Sequence, residues 1–218
     1  MNLREMQENA VQTVLKTSLC RAVMDGKLER CEYVKYLSDV YCYALHSAQV
    51  IGMAGVRLTL SHPPLAEYLF THAAEELGHD KWAGSDLLDL GLKPDSLRQM
   101  QPSSACLRMI ALEYLYATQW NAVGLFGWMF VLESLGGSVG GSLAACVDRT
   151  LSLDGKAMYF LKGHAQADAH HSEDLYRVID GNVSTQDDRS AFLTMYEESL
   201  RLYCEILDNA REACSAAA

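Results

Sequence analysis

His72-Ala73-Ala74-Glu75-Glu76-Leu77-Gly78-His79 reads as almost two turns of α-helix. Positions 72, 75, 76 and 79 then fall at i, i+3, i+4 and i+7, and seven residues bring His79 back to within about 20° of His72. Two imidazoles with carboxylates between them line a single stripe. A buried stripe at this spacing is ordinarily Leu, Ile or Val, because unpaired buried charge is costly. The stripe is therefore either solvated or built to hold a metal.

A second row repeats the pattern. His164-x-x-x-Asp168-x-x-His171, with His170 beside it, sets three ligand-type groups at i, i+4 and i+7. The second and third lie within roughly 40° and 20° of the first. Facing each other across a bundle core, two such rows make the arrangement by which helical carboxylate proteins hold two metals. Glu133, in Trp128-Met129-Phe130-Val131-Leu132-Glu133, adds a lone acid to a very apolar segment, where a metal or an Arg must compensate it. Imidazole with carboxylate suits iron or manganese, and zinc fits by ligand type. His46, after Tyr41 and Tyr43, is a further candidate for the same cavity; against that, a lone His is more often a hydrogen-bonded core residue. Taken singly, each row could also be a solvated helix face.

The rest of the chain supplies scaffold. Apolar residues recur at helical spacing from Asn2 to Met24, with Gly26 suited to a left-handed end. Further helices are expected over about 29–57, 65–90, 105–117, 120–135, 142–152, 156–179 and 185–213. Gly136-Gly137-Ser138-Val139-Gly140-Gly141 reads as a flexible connection near the site that could gate it; it has no Lys-Ser/Thr end and is not a phosphate loop. No strand alternation, repeat or low-complexity linker stands out. Seven or eight helices with short connections make an all-α bundle, one domain over 1–218.

Composition narrows the partners. The chain has 218 residues, half of them hydrophobic, and a formal charge of −10. That length allows a sizeable core, and the acidity argues against a nucleic-acid backbone as partner. The apolar run from Trp120 to Leu135 is interrupted by Asn121, Glu133 and small residues, so it reads as a buried helix rather than a membrane span. The seven cysteines form no CxxC pair and sit mostly among apolar neighbours, as expected of a reducing compartment. A cytoplasmic protein is expected. Oligomeric state stays open, a homodimer being the common outcome for a compact bundle.

On these motifs the chain resembles the haem-oxygenase-like superfamily of seven-to-eight-helix proteins, which includes thiaminase-like (TenA) and pyrroloquinoline-quinone-synthase-like members. Within it the likeness is to the di-metal oxidase/oxygenase branch. That branch has a Glu or His several residues before a His, then a Glu in an apolar helix, then His-x-x-x-Asp-x-x-His. The matching positions are His72 and His79, Glu133, and His164, Asp168 and His171. The Glu75-Glu76-x-Gly78-His79-Asp80 string and Leu90-Gly91 add to the likeness. It departs at His72, where many members carry a carboxylate. Glu76, one turn from both His72 and His79, is then the favoured substitute, ahead of Glu75. The resemblance implies two iron ions, with manganese as the replacement, dioxygen as co-substrate, and a small amine, amino acid or fatty acid as substrate.

Three functions follow as expectations. The first is a metal-dependent oxidase or oxygenase, with His72, Glu76, His79, Glu133, His164, Asp168 and His171 as ligands. The second is a metal-independent enzyme of the thiaminase-like or quinone-synthase-like kind, for which Cys42 and Cys146 are candidate nucleophiles without an evident activating partner. The third is a haem-binding protein. In haem oxygenases the axial His comes from the first helix, whereas the first histidine here is His46, so this reading is the weakest.

Overall fold

The computed structural model describes residues 1–215, the side chains of 167–171, 213 and 215 excepted. The chain runs α1 (Leu3–Val14), α2 (Ser18–Met24), α3 (Arg30–Leu58), α4 (Pro63–Glu75), α5 (His79–Asp89) and α6 (Pro94–Arg98). It continues through α7 (Ser104–Thr118), α8 (Leu125–Leu135), α9 (Gly141–Leu151), α10 (Tyr159–Asn182) and α11 (Gln186–Ser215). No strand occurs among the described residues. The all-α bundle is therefore as expected, with more and shorter helices than the periodicity suggested.

α3 is the central element, packing against α4, α5, α7 and α11. A reciprocal cap starts it: the Glu29 N–H donates to the Glu32 carboxylate at 2.8 Å while the Glu29 side chain accepts from the Glu32 backbone. Its inner stripe, including Tyr33, Tyr36, Leu37, Val40, Tyr43, Ala44 and Ser47, is buried as the spacing predicts. Ser103 caps α7 by accepting from Cys106 N.

Four expectations need correction. The 2–24 helix is two helices, because Thr17 turns extended and caps α2 through Cys20 N. The 65–90 helix is broken at Glu76–Gly78, where Gly78 takes φ 97° and becomes the residue before α5. Gly136–Gly140 is not a loop; it is one π-helical turn that carries α8 into α9. α10 runs through Asp180-Gly181-Asn182 instead of stopping there. The helical stretch Ala122–Leu151 is long and apolar enough to cross a membrane by length and composition alone, and 72% of its most apolar window is buried within the protein.

A cavity of about 140 Å³ lies between α1, α2, α3, α4, α8, the π turn, α9, α10 and α11. Along α3 its lining runs from Tyr33 to Ile51, about 27 Å of helix at 1.5 Å per residue. The space is long and narrow. Among the described residues, His72, Glu76, Glu133 and His164 are the only His or charged side chains that line it.

Candidate metal centre

The break between α4 and α5 builds the first half of the site. α4 ends when the Glu76 N–H reaches His72 O at 2.9 Å, and the His79 N–H then returns to Glu76 O at 3.2 Å. Gly78 alone tolerates the left-handed backbone this reversal needs at no steric cost. The expected single stripe does not exist, since His72 and His79 stand on different helices. Both nonetheless reach the cluster. His72, Glu76 and His79 are all buried, at 3%, 9% and 7% exposure.

Glu133 enters from the last turn of α8, and its Oε1 lies 3.1 Å from His72 Nε2. The other ring nitrogen of His72 faces Glu75 Oε2 at 3.7 Å, and its ring lies nearly parallel to that of Tyr68, 13° apart at 5.6 Å. Glu75 is half exposed, so it orients His72 from outside. Glu76, by contrast, is buried. Glu133 is steadied through its backbone, which accepts from Ser172 Oγ at 3.1 Å.

α10 supplies the opposite wall. His164 Nδ1 lies 3.1 Å from Phe160 O, one turn back, so this nitrogen carries the hydrogen and Nε2 is left as the ligand-type atom. Its ring packs on Phe160 at 4.1 Å and meets His79 edge-on at 4.7 Å and 75°. Burial pushes the His164 pKa below the ordinary imidazole value, Glu76 opposing the shift and His79 adding to it. A neutral imidazole is the form a metal takes. Asp168 and His171 lie on α10, but their side chains fall outside the described residues.

Two sets of donors result. The ligand-type atoms of Glu76, His79 and His164 lie within 4.8 Å of one another, and so do those of His72, Glu76 and Glu133. Glu76 belongs to both. The chemistry of the set fits hard or borderline cations, all donors being imidazole nitrogen or carboxylate oxygen. His79 Nδ1 and Glu76 Oε1 are 3.0 Å apart yet not aligned for a hydrogen bond. That spacing matches two donors about 2.1 Å from one ion at a right angle. Among the described residues the adjoining cavity is lined by no Lys or Arg.

His46 is a correction. It lies outside the cavity lining, its Nδ1 2.9 Å from the Tyr114 hydroxyl, which in turn donates to Gln49 at 2.8 Å. The candidate nucleophiles fare no better. Burial, and then the Asp39 charge, pushes the Cys42 thiol up to about 11, the reverse of activation. Cys146 is only partly buried and has Arg149 Nη2 at 3.3 Å, and it does not line the cavity.

Sequence reasoning passed over three residues that shape the site. Trp82 stacks on His79 with ring centres 4.0 Å apart. Asp86, fully buried, accepts the Tyr159 and Phe160 N–H groups at 2.8 and 2.9 Å and so caps α10 from α5. Gly163, beside His164, lets the indole approach the α10 backbone. The available signal was spacing: Trp82 and Asp86 follow His79 at i+3 and i+7, on the same face of α5.

Comparison with known proteins gives the family and the fold. The family described as iron-containing redox enzymes, of haem-oxygenase type, matches residues 34–203. A domain of unknown function with a haem-oxygenase-like fold from Shewanella denitrificans superposes with a TM-score of 0.89 at 25% identity, covering 99% of this chain and 94% of that one. A TenA homologue from Pseudomonas syringae pv. tomato gives 0.75 at 16% identity, over 96% and 91% of the two chains. Haem oxygenase from Leptospira interrogans gives 0.70 at 18% identity, over 95% and 97%. The last two share the fold. No curated protein matches the sequence.

Proposed function

The chain belongs to the family of iron-containing redox enzymes, and on that premise we propose that it is a non-haem, di-iron oxidase or oxygenase acting on an elongated apolar substrate. The observation that carries this reading is the pair of donor sets sharing Glu76. Glu76, His79 and His164 would hold one ion; His72, Glu76 and Glu133 would hold the other, with Asp168 and His171 on α10 as further ligands. Iron held there supplies the reduction of dioxygen and the oxidation of an organic molecule beside it; manganese is the alternative metal.

The chain's own share is placement and exclusion of water. Asp86 fixes the start of α10, so His164 arrives with its Nδ1 already engaged by Phe160 O. His72 presents its Nε2 to Glu133, with Glu75 on its Nδ1 side. The described lining beyond the cluster is mostly aliphatic and aromatic, with the Ser47 hydroxyl, the tyrosine hydroxyls and the Trp128 indole as its polar groups and Cys20 as its one thiol, whose pKa burial raises. Of the substrate classes the resemblance implies, the fatty acid fits this lining. Its chain follows the apolar length of the cavity, and its polar end lies at the cluster. Elsewhere along that length the described lining offers a charged group hydroxyls but no side chain of opposite charge.

The thiaminase-like reading is second. It needs an activated nucleophile, and the cavity cysteine is the opposite of activated. The test is anaerobic addition of Fe(II), desalting and iron analysis, then admission of oxygen with and without saturated fatty acids of graded length. About two irons per chain and substrate-dependent oxygen uptake are expected. No retained iron, with manganese and zinc also failing, overturns the metal reading.

A further inference from the structure

His79 is the first residue of α5, preceded by the left-handed Gly78. It therefore lacks the preceding helical turn that normally confines a side chain's rotamers. Its neighbour one turn on supplies the confinement. The Trp82 indole lies against the imidazole at 4.0 Å and 28°, and meets His164 edge-on at 5.5 Å and 78°. Trp82 thus touches an imidazole from each of two helices, and it is itself only partly buried.

α10 is shaped to admit this ring. A Cβ added at Gly163 would stand 2.7 Å from Trp82 Cζ3 and 2.9 Å from Cε3. Any side chain at position 163 would require the indole or α10 to shift. Ordinary core packing needs a ring of about this volume, but it does not need a flat face on a donor imidazole and a glycine opposite. An imidazole bound to a cation carries part of its positive charge, and the indole face attracts such charge.

We propose that Trp82 is a positioning residue: clamped between His79 and Gly163, it sets the relative orientation of the His79 and His164 imidazoles and thereby the affinity of the Glu76/His79/His164 donor set for a divalent metal. This rests on the metal reading above, and the clamp itself rests on the ring geometry.

Co(II) is the probe, since its visible absorption reports ligand geometry as well as binding. It is titrated into wild type, W82F, W82L and G163A, with thermal melts to confirm folding. W82F keeps a flat ring and is expected within about threefold of wild type, with the same bands. W82L is expected to bind ten- to a hundredfold more weakly, the range for groups that orient metal ligands, with altered band shape and intensity. G163A should move the spectrum in the same way while leaving the indole in the chain, and it decides the matter if W82L does not fold. Wild-type affinity and bands in both W82L and G163A overturn the clamp and leave the metal reading standing. Failure of wild type to bind Co(II), Fe(II) or Mn(II) overturns both.

Discussion

His79 Nδ1 lies 3.0 Å from Glu76 Oε1 across a broken helix. In a continuous helix the two side chains would point about 60° apart, three residues being 300° of turn. The break at Gly78 ends α4 on Glu76 and restarts the chain on His79. One carboxylate can then face both the His72/Glu133 side and the His79/His164 side. The donor pattern comes from the interruption.

Gly78→Ala tests that directly. The glycine sits at φ 97°, and the nearest atom to an added Cβ is 3.9 Å away, so the cost is backbone strain and not collision. A left-handed position occupied by Ala costs about 1–2 kcal/mol. Thermal or urea unfolding should show that loss, and metal affinity should fall because relief of the strain re-forms the helix through Glu76. Unchanged stability and affinity would show that the break does not depend on Gly78.

The reach of the sequence can be judged from these residues. His72, Glu76, His79, Glu133 and His164 were legible because buried-looking rows of ligand types have no apolar substitute. The helix break was not, since His72 and His79 satisfy helical spacing and Gly78 lies inside it. Gly136–Gly141 failed the other way. Each glycine disfavours helix by about 1 kcal/mol, but the flanking apolar turns are buried and carry the helix through as a π turn. Trp82 and Asp86 share a face of α5 with His79, but their contacts to α10, and Gly163's to Trp82, join elements far apart in sequence, which no local pattern pairs. Thr17 did carry a signal, an N-cap residue three before Cys20, masked by apolar spacing that ran straight across it.

Asp86 should link pH to stability. It is fully buried, and burial pushes its pKa from 3.8 up to about 6, the two backbone N–H bonds from Phe160 and Tyr159 opposing the rise. A carboxyl with a raised folded-state pKa gains a proton on folding between those values. Its contribution is greatest below about pH 4, declines as pH rises to about 6, and is flat above. Asp86→Asn removes this titration. The difference in unfolding free energy between wild type and D86N should therefore shift against wild type from pH 4 to 6 and then level. D86N also turns an amide N–H toward one of the two donors, which should loosen α10 and lower metal affinity. A difference that stays constant with pH would refute the assignment.

Glu113 is the sharper stability prediction. It is fully buried on α7, neither carboxyl oxygen has a hydrogen-bond partner among the described residues, and burial raises its pKa well above the ordinary 4.5. A buried polar group left unsatisfied costs about 1–3 kcal/mol. Glu113→Met, which keeps the length of the side chain without its charge, should raise stability at pH 7 by about that amount. The gain should shrink as pH falls toward 4.5, where the unfolded chain also takes up the proton. Urea unfolding at pH 4.5 and 7 measures both. A destabilised variant at pH 7 would mean that Glu113 has a partner, an ordered water being the simplest.

The shared carboxylate makes metal stoichiometry the test of the two-ion arrangement. His72 and Glu133 contribute to one donor set, His79 and His164 to the other, and Glu76 to both. His72→Ala should therefore remove one ion and spare the second, giving about one iron per chain where wild type holds about two. His164→Ala should likewise leave about one, from the opposite side. Glu76→Gln keeps the size of the side chain but removes the charge from both sets, so its retained iron should fall below that of either histidine variant. Iron analysis after the same anaerobic loading and desalting measures all three, and circular dichroism checks that α4, α5 and α10 stay folded. If E76Q lost no more iron than H72A, Glu76 would serve one ion alone. If H72A kept both ions, the imidazole would be an orienting partner of Glu133, and the departure from the family's carboxylate at position 72 would have no bearing on metal number.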